Sequence, residues 1–344
     1  MLMTEVGSLT RRGNQILLAV FLGAILPALI FSFFGGQQKR KNEQPTQPTQ
    51  GNVLQIPTTG QSVKPTQPQQ PQEQFTIAVL MKDGSVEDMV LNDYLTAVVL
   101  REMPADFESE ALKAQAVVAR TYTLHKTAAP KHGHAVVCTD PGCCQGFCSQ
   151  EEYLRLGGTE KDIKKVRQAV LQTDDLVITY GGRLIEATYF SCSGGKTEDA
   201  LAVWGTDVPY LQSTESPGEE GTAFYTDTVK FTASEFNRLL GGHLTGPAET
   251  WLEDVTYTKG GGVSTMTLCG KTFQGTDLRQ MLGLRSTAFM LTAIGDSVTI
   301  TTKGYGHRVG MSQYGADAMA VAGNNFVQIL AHYYKGTALE VYAR

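Results

Sequence analysis

Glu102 stands where its chemistry is out of place. Within DYLTAVVLREMP, Leu95, Val98, Val99 and Glu102 follow the i, i+3, i+4, i+7 spacing of one helical face. A carboxyl therefore occupies a position where Leu or Ile would be expected. Desolvation on such a stripe raises a carboxyl's pKa and keeps its proton in place, which suits a general acid. The competing assignments are a structural ion pair with Arg101, Lys113 or Arg120, or exposure at a frayed helix end.

A second concentration of chemistry lies in KHGHAVVCTDPGCCQGFC, where His132, His134, Cys138, Cys143, Cys144 and Cys148 fall within seventeen residues. Soft thiolates with imidazole at this density are a zinc signal. Disulfides are the alternative in an oxidising compartment. The adjacent Cys143 and Cys144 could bond each other only with strain, whereas Cys148 could pair with Cys192. A cysteine nucleophile activated by histidine is the third reading. Further along, Tyr189-Phe190-Ser191-Cys192-Ser193-Gly194-Gly195-Lys196 offers hydroxyls and close backbone approach, both useful for binding sugar. It lacks the G-x-S-x-G frame of a nucleophile elbow. The run from Gly304 to Gln313 carries His307, either a cleft residue or a satisfied structural histidine, with Gly306 and Gly310 serving turns.

These residues need elements to hold them. FTIAVLMKDGSVEDMVL reads as two strands about an Asp83-Gly84 turn. A first helix is capped by Asn92 or Asp93 and ended by Pro104, and a second runs from a Ser109 cap to about Lys126. On the second helix Lys113 and Arg120 lie seven apart and share a face. The fold class expected is α+β: a domain over 75–344 with helices packed on β-structure and a smaller α+β insertion at about 219–285. No internal repeat interrupts it. Ahead of it, after a short segment 1–15, Ile16 to Phe34 is uncharged for nineteen residues, close to the length that crosses a bilayer. An uncleaved transmembrane anchor fits better than a signal peptide, whose apolar core is usually shorter. Residues 35–74, rich in Pro, Gln and Thr, read as a disordered linker. Arg11 and Arg12 precede the span while Lys39, Arg40 and Lys41 follow it, so charge does not set its orientation. With 18% charged residues and a net charge of −5, the chain has no electrostatic footprint for nucleic acid.

The segment DYLTAVVLREMPADFESEALKAQAVVARTYTL resembles the signature of the stage II sporulation protein D family, lytic transglycosylases active during engulfment in spore-forming Firmicutes. CTDPGCCQGF, YFSCSGGKTEDALAVWGTDVPYL and GYGHRVGMSQYGADAMA agree in order, so the resemblance spans nearly everything from Phe75 onward. It implies that Glu102 is the catalytic acid. It also implies that Lys113, Arg120, Tyr189, Ser191, Ser193, Lys196, His307 and Gln313 face substrate. The implied zinc ligands are His132, Cys138, Cys143 and Cys144, with His134 the substitute for His132 and a structural role for the metal. Cys143 stands where the family often has histidine, and Cys192 where it usually has threonine. The implied substrate is peptidoglycan stripped of its stem peptides, cut with 1,6-anhydro-muramic acid formation. The implied partners are the amidase stage II sporulation protein P (SpoIIP) and the membrane protein stage II sporulation protein M (SpoIIM). The implied place is the extracytoplasmic side of the mother-cell membrane facing the forespore. A non-catalytic wall-binding amidase enhancer is the second reading, and a thiol hydrolase using Cys144 or Cys192 the third.

Overall fold

The computed structural model describes residues 75–343. The segment 1–15, the expected anchor 16–34 and the linker 35–74 lie outside the described residues. Among the described residues, no helix is long and apolar enough to cross a membrane.

In chain order, β1 (Thr76–Leu80) and β2 (Val86–Val90) form an antiparallel hairpin. Asp83 makes the turn by accepting from Ser85 N at 2.9 Å and Ser85 Oγ at 2.6 Å, and Gly84 takes the left-handed φ of 88°. Then α1 (Leu91–Glu102) begins directly on the strand, with Val90 at its N-cap and no side-chain cap. The expected caps are therefore inside the first turn, and Asp93 is turned to Arg167 at 2.8 Å. Pro104 does end this helix, because it cannot donate to the ladder. The next helix, α2 (Ser109–Thr127), starts at Ser109 with Glu108 at the N-cap, so Ser109 is its first residue rather than its cap.

The larger unit continues with further helices and strands. They are β3 (Val137–Cys138), α3 (Gln150–Arg155), α4 (Glu160–Gln172), β4 (Leu176–Tyr180), β5 (Arg183–Leu184), β6 (Tyr189–Phe190) and α5 (Ala200–Trp204). Contacts from α1, α4 and β4 wrap α2, as do those of two helices near the C-terminus. Ala111, Ala114, Ala116 and Ala119 are fully buried and let those neighbours approach closely, while Leu112 and Leu124 fill the gaps. Each of those leucines contributes about 2 kcal/mol by leaving water.

A smaller unit follows: β7 (Thr226–Thr232), α6 (Ala233–Leu239), β8 (Leu252–Tyr257), β9 (Val263–Leu268), β10 (Lys271–Gln274), α7 (Gly275–Met281), β11 (Phe289–Ile294) and β12 (Ser297–Lys303). Its strands form two three-stranded antiparallel sheets, β11-β12-β7 and β10-β9-β8. They enclose a separate core from Phe236 to Ile300. The unit therefore starts later and ends later than the expected 219–285, because its first and last strands, β7 and β12, pair with each other. The chain then returns through β13 (Met311–Ser312), α8 (Gln313–Val321), α9 (Phe326–Tyr333) and β14 (Ala338–Val341) to complete the larger core.

Arg120 is buried between α2 and α4. It is 1% exposed, and its guanidinium donates to Thr173 O at 2.6 Å, Val170 O at 3.0 Å and Leu176 O at 3.3 Å. Thr173 and Val170 sit at the C-terminal end of α4, where the helix dipole favours a cation. The residue ties α2 to α4.

Candidate active site around Glu102

Glu102 is the last residue of α1, so its side chain leaves the apolar stripe where the helix stops. The residue is half-buried as a whole, but its carboxyl is turned inward. Gly146 N donates to Glu102 Oε1 at 2.5 Å. A glycine is needed there: a Cβ on residue 146 would come within 2.6 Å of Arg101 Cγ and 2.8 Å of Glu102 Oε1. The Tyr189 hydroxyl and the Gln313 amide also reach the carboxyl. Burial raises the Glu102 pKa, opposed by the Gly146 N–H and, more weakly, by Tyr189, the Arg101 charge and Gln313. None of these neighbours is a carboxylate.

Tyr189 and Gln313 arrive together because β6 and β13 pair in parallel, Tyr189 opposite Met311 and Phe190 opposite Ser312, with Gln313 next in the chain. Burial pushes the Tyr189 phenol well above its usual range, helped by the charge of Glu102. Gln313 is 5% exposed, and its Nε2 makes no geometrically sound hydrogen bond to a protein atom. It is an available donor beside the acid.

The loop that carries Gly146 also carries the cysteines. His132, Cys138, Cys143 and Cys144 place their ligand atoms within 4.8 Å of one another, a group able to hold a metal ion. His132 Nε2 lies 3.4 Å from Cys144 Sγ and 3.6 Å from Cys143 Sγ. His134 is not in the group, and Cys148 is buried apart from it. All six cysteines are free thiols, so the expected alternative of a Cys148–Cys192 bond is not formed.

The other expected sugar contacts are placed differently. Ser193 is buried, and its Oγ donates to Glu219 Oε2 at 2.7 Å while accepting from Gly195 N at 3.0 Å. Both bonds of that hydroxyl stay inside the protein. Ser191 is half-buried, and its carbonyl accepts from Tyr314 N at 3.0 Å. Lys196 is at the surface, 3.0 Å from Glu215. Lys113 pairs with Glu110 at 2.7 Å, and the other oxygen of Glu110 accepts from Phe326 N at the start of α9. His307 Nδ1 accepts from Val309 N at 3.1 Å, and its ring also bonds the Tyr189 backbone. The ring is flanked by Phe190 and Trp204, and burial lowers its pKa to about 4.

Sequence reasoning missed four side chains. Glu219 is fully buried and gathers the serine-rich motif about itself. Glu198 and Arg308 form a buried pair at 3.3 Å, and Arg308 also donates to Ser193 O, Lys196 O and Gly260 O. Because Gly260 belongs to the smaller unit, this pair pins the two units together. Gln145, beside the metal group, holds Tyr189, Tyr94 and Thr123. Each contact joins residues more than twenty positions apart, and local spacing gives no sign of them.

A family model described as "Stage II sporulation protein" matches residues 82–180. The chain is 40% identical over 260 residues to stage II sporulation protein D of Bacillus subtilis (strain 168), covering 74% of this chain and 76% of that protein. It is 40% identical over 259 residues to the Bacillus amyloliquefaciens protein of the same name, covering 73% and 74%. An amidase enhancer of Bacillus subtilis (strain 168) is 31% identical over 302 residues, covering 72% of this chain and 40% of that protein.

Proposed function

The chain belongs to the stage II sporulation protein D family, and from that premise we propose that it is a lytic transglycosylase of denuded peptidoglycan acting in engulfment. The observation that carries the reading is the Glu102 carboxyl, shielded from water and touched by a backbone N–H, a phenol and an amide, with no carboxylate among these neighbours. Glycosidases that use water as nucleophile generally need two carboxyl groups flanking the bond. An intramolecular attack needs one.

In this mechanism protonated Glu102 gives its proton to the bridging oxygen between N-acetylmuramic acid and N-acetylglucosamine. The C1–O bond breaks, the leaving sugar departs as an alcohol, and positive charge develops at C1. The C6 hydroxyl of the same muramic acid then bonds to C1 and returns its proton to Glu102. The acid is restored and no water is consumed. Gln313 Nε2, a buried donor at the carboxyl, steadies the anionic form between the two steps.

The metal group fits zinc. Bonds of about 2.3 Å to sulfur and about 2.0 Å to nitrogen put tetrahedral S and N ligands about 3.5 Å apart, beside the 3.4 and 3.6 Å found for His132 with Cys144 and Cys143. Four protein ligands leave no open position, so the zinc would serve structure, fixing the loop that presents Gly146 to Glu102. Metal analysis of freshly reduced protein should give about one zinc per chain, and a value near zero removes the site.

The apolar run 16–34 would hold the domain at the membrane on the side where the wall lies, with SpoIIP stripping the strands and SpoIIM as the membrane partner. Mass spectrometry of a digest of denuded glycan tests the reading. Products ending in 1,6-anhydro-muramic acid, one water lighter than hydrolysis products, are expected; reducing ends alone would make the protein a hydrolase. The similarity to an amidase enhancer supports a second reading, a wall-binding module that stimulates an amidase. Binding without any release of product would select it.

A further inference from the structure

Zinc and a disulfide are rival fates for one cluster of thiols, and the geometry admits both. Cys138, Cys143 and Cys144 join His132 with their ligand atoms within 4.8 Å of one another, and all three thiols are free. Tetrahedral zinc would hold two of these sulfurs about 3.8 Å apart, whereas a disulfide needs about 2.05 Å. The adjacent Cys143 and Cys144 bond each other only with strain, so Cys138 is the partner that either would take. Cys138 is fixed: it is 6% exposed, β3 pairs it with Leu80 of β1, and Thr139 N donates to Leu80 O at 3.1 Å. Cys143 and Cys144 are half-buried on a turn, where both backbone N–H groups donate to Asp140 O at 3.0 and 2.9 Å. Closing the bond therefore carries the turn toward β3 by about 1.7 Å and leaves Cys138 in place. Just beyond Cys144 stands Gly146, whose N–H holds Glu102 Oε1. The fit there has no slack, since Arg101 Cγ lies 2.6 Å from where a Cβ on Gly146 would sit.

We propose that these three thiols are a reversible oxidation site: Cys138 and one of the adjacent pair form a disulfide, which expels the zinc and draws Gly146 off Glu102. The co-reactant is a small-molecule disulfide. A thiolate of Cys143 or Cys144, both half-buried and within reach of solvent, attacks one of its sulfurs, and a first small thiolate leaves. The Cys138 thiolate then attacks the protein sulfur of that mixed disulfide, and a second small thiolate leaves. The two cysteines lose two electrons and the small disulfide gains them. Zinc departs as the hydrated ion, because half of its ligands are gone. The oxidised site lacks the N–H that orients the acid. The inference rests on the reading of Glu102 as the acid for its effect on turnover, while the thiol chemistry and the loop movement do not depend on it.

The test treats the zinc-loaded, full-length chain with glutathione disulfide. Alkylation and peptide mapping should find Cys138 joined to Cys143 or Cys144, with the third thiol free. A chromogenic chelator should report about one zinc released per chain. Nitrogen-labelled glycine with carbonyl-labelled glutamine selects the three Gln–Gly amides of the sequence, those of Gly51, Gly146 and Gly275. On oxidation the Gly146 resonance should move while the other two stay. Release of glycan products should fall about tenfold. Dithiothreitol with added zinc should reverse all four changes. Mapping that finds only mixed disulfides with glutathione, or no oxidation at all, overturns the proposal. So does an internal bond that leaves the Gly146 resonance where it was. Reduced, zinc-loaded protein that yields no anhydro products would count against the transglycosylase reading alone, since the bond and the resonance are read without substrate.

Discussion

Glu102 and Glu219 are both carboxyls withdrawn from water, and the regions around them are built on opposite plans. Around Glu219 seven donors converge: Cys192 Sγ, Ser193 N and Oγ, Gly194 N, Gly195 N, Ser216 Oγ and Ser312 Oγ. Gly315 closes over the group so tightly that any Cβ there would strike Tyr333, Ser216 and Glu219 itself. Around Glu102 one backbone N–H is held at bonding distance, and the phenol and amide nearby are less well aligned. The first region spends every lone pair on folding. The second leaves a carboxyl under-served and therefore reactive. Burial alone does not make an acid; burial with few donors does.

The contrast makes graded predictions. Glu219→Ala strands buried serine hydroxyls and backbone N–H groups, and should cost about 4 kcal/mol in urea unfolding. Glu219→Gln keeps the shape and half of the acceptors, and should cost roughly 2 kcal/mol. If either variant kept full stability while losing turnover, the roles given to the two glutamates would have to be exchanged. The smallest effect belongs to His307, which stands against Phe190 between the two regions. Its pKa is lowered from 6.5 to about 4, so the folded state binds its proton less readily than the unfolded chain does. Its stabilising contribution is therefore present above pH 6.5 and is lost as pH falls toward 4. Between pH 8 and pH 5 the wild type should lose about 1–2 kcal/mol more than His307→Gln, measured by urea unfolding at both pH values.

How much of this was legible in the sequence depends on how far each contact reaches. The hairpin about Asp83-Gly84, the helix ended by Pro104 and the apolar stripe leading to Glu102 are local patterns, and the folded chain forms all three. The grouping of His132 with Cys138, Cys143 and Cys144 is nearly as local. The caps were misplaced because α1 grows straight out of β2, leaving no turn for Asn92 or Asp93 to close. Arg120 shows the limit of periodicity: spacing says which face it shares with Lys113, but not that the end of α4 lies across from it. Gly146 is a backbone donor and has no side chain to betray it. Glu219 looked like the edge of an insertion because its donors come from three other stretches of chain, near residues 192–195, 216 and 312.

The measurement that bears most directly on the account is turnover and stability of Glu102→Gln on denuded glycan strands. The amide keeps the shape of the side chain but has no acidic proton to lend. Release of anhydro-muramic products should fall by about 10³-fold, with glycan binding retained and urea stability within about 1 kcal/mol of wild type. In the wild type, the rate should decline as pH rises through the raised Glu102 pKa. Undiminished release by Glu102→Gln would contradict the claim that this carboxyl is the acid.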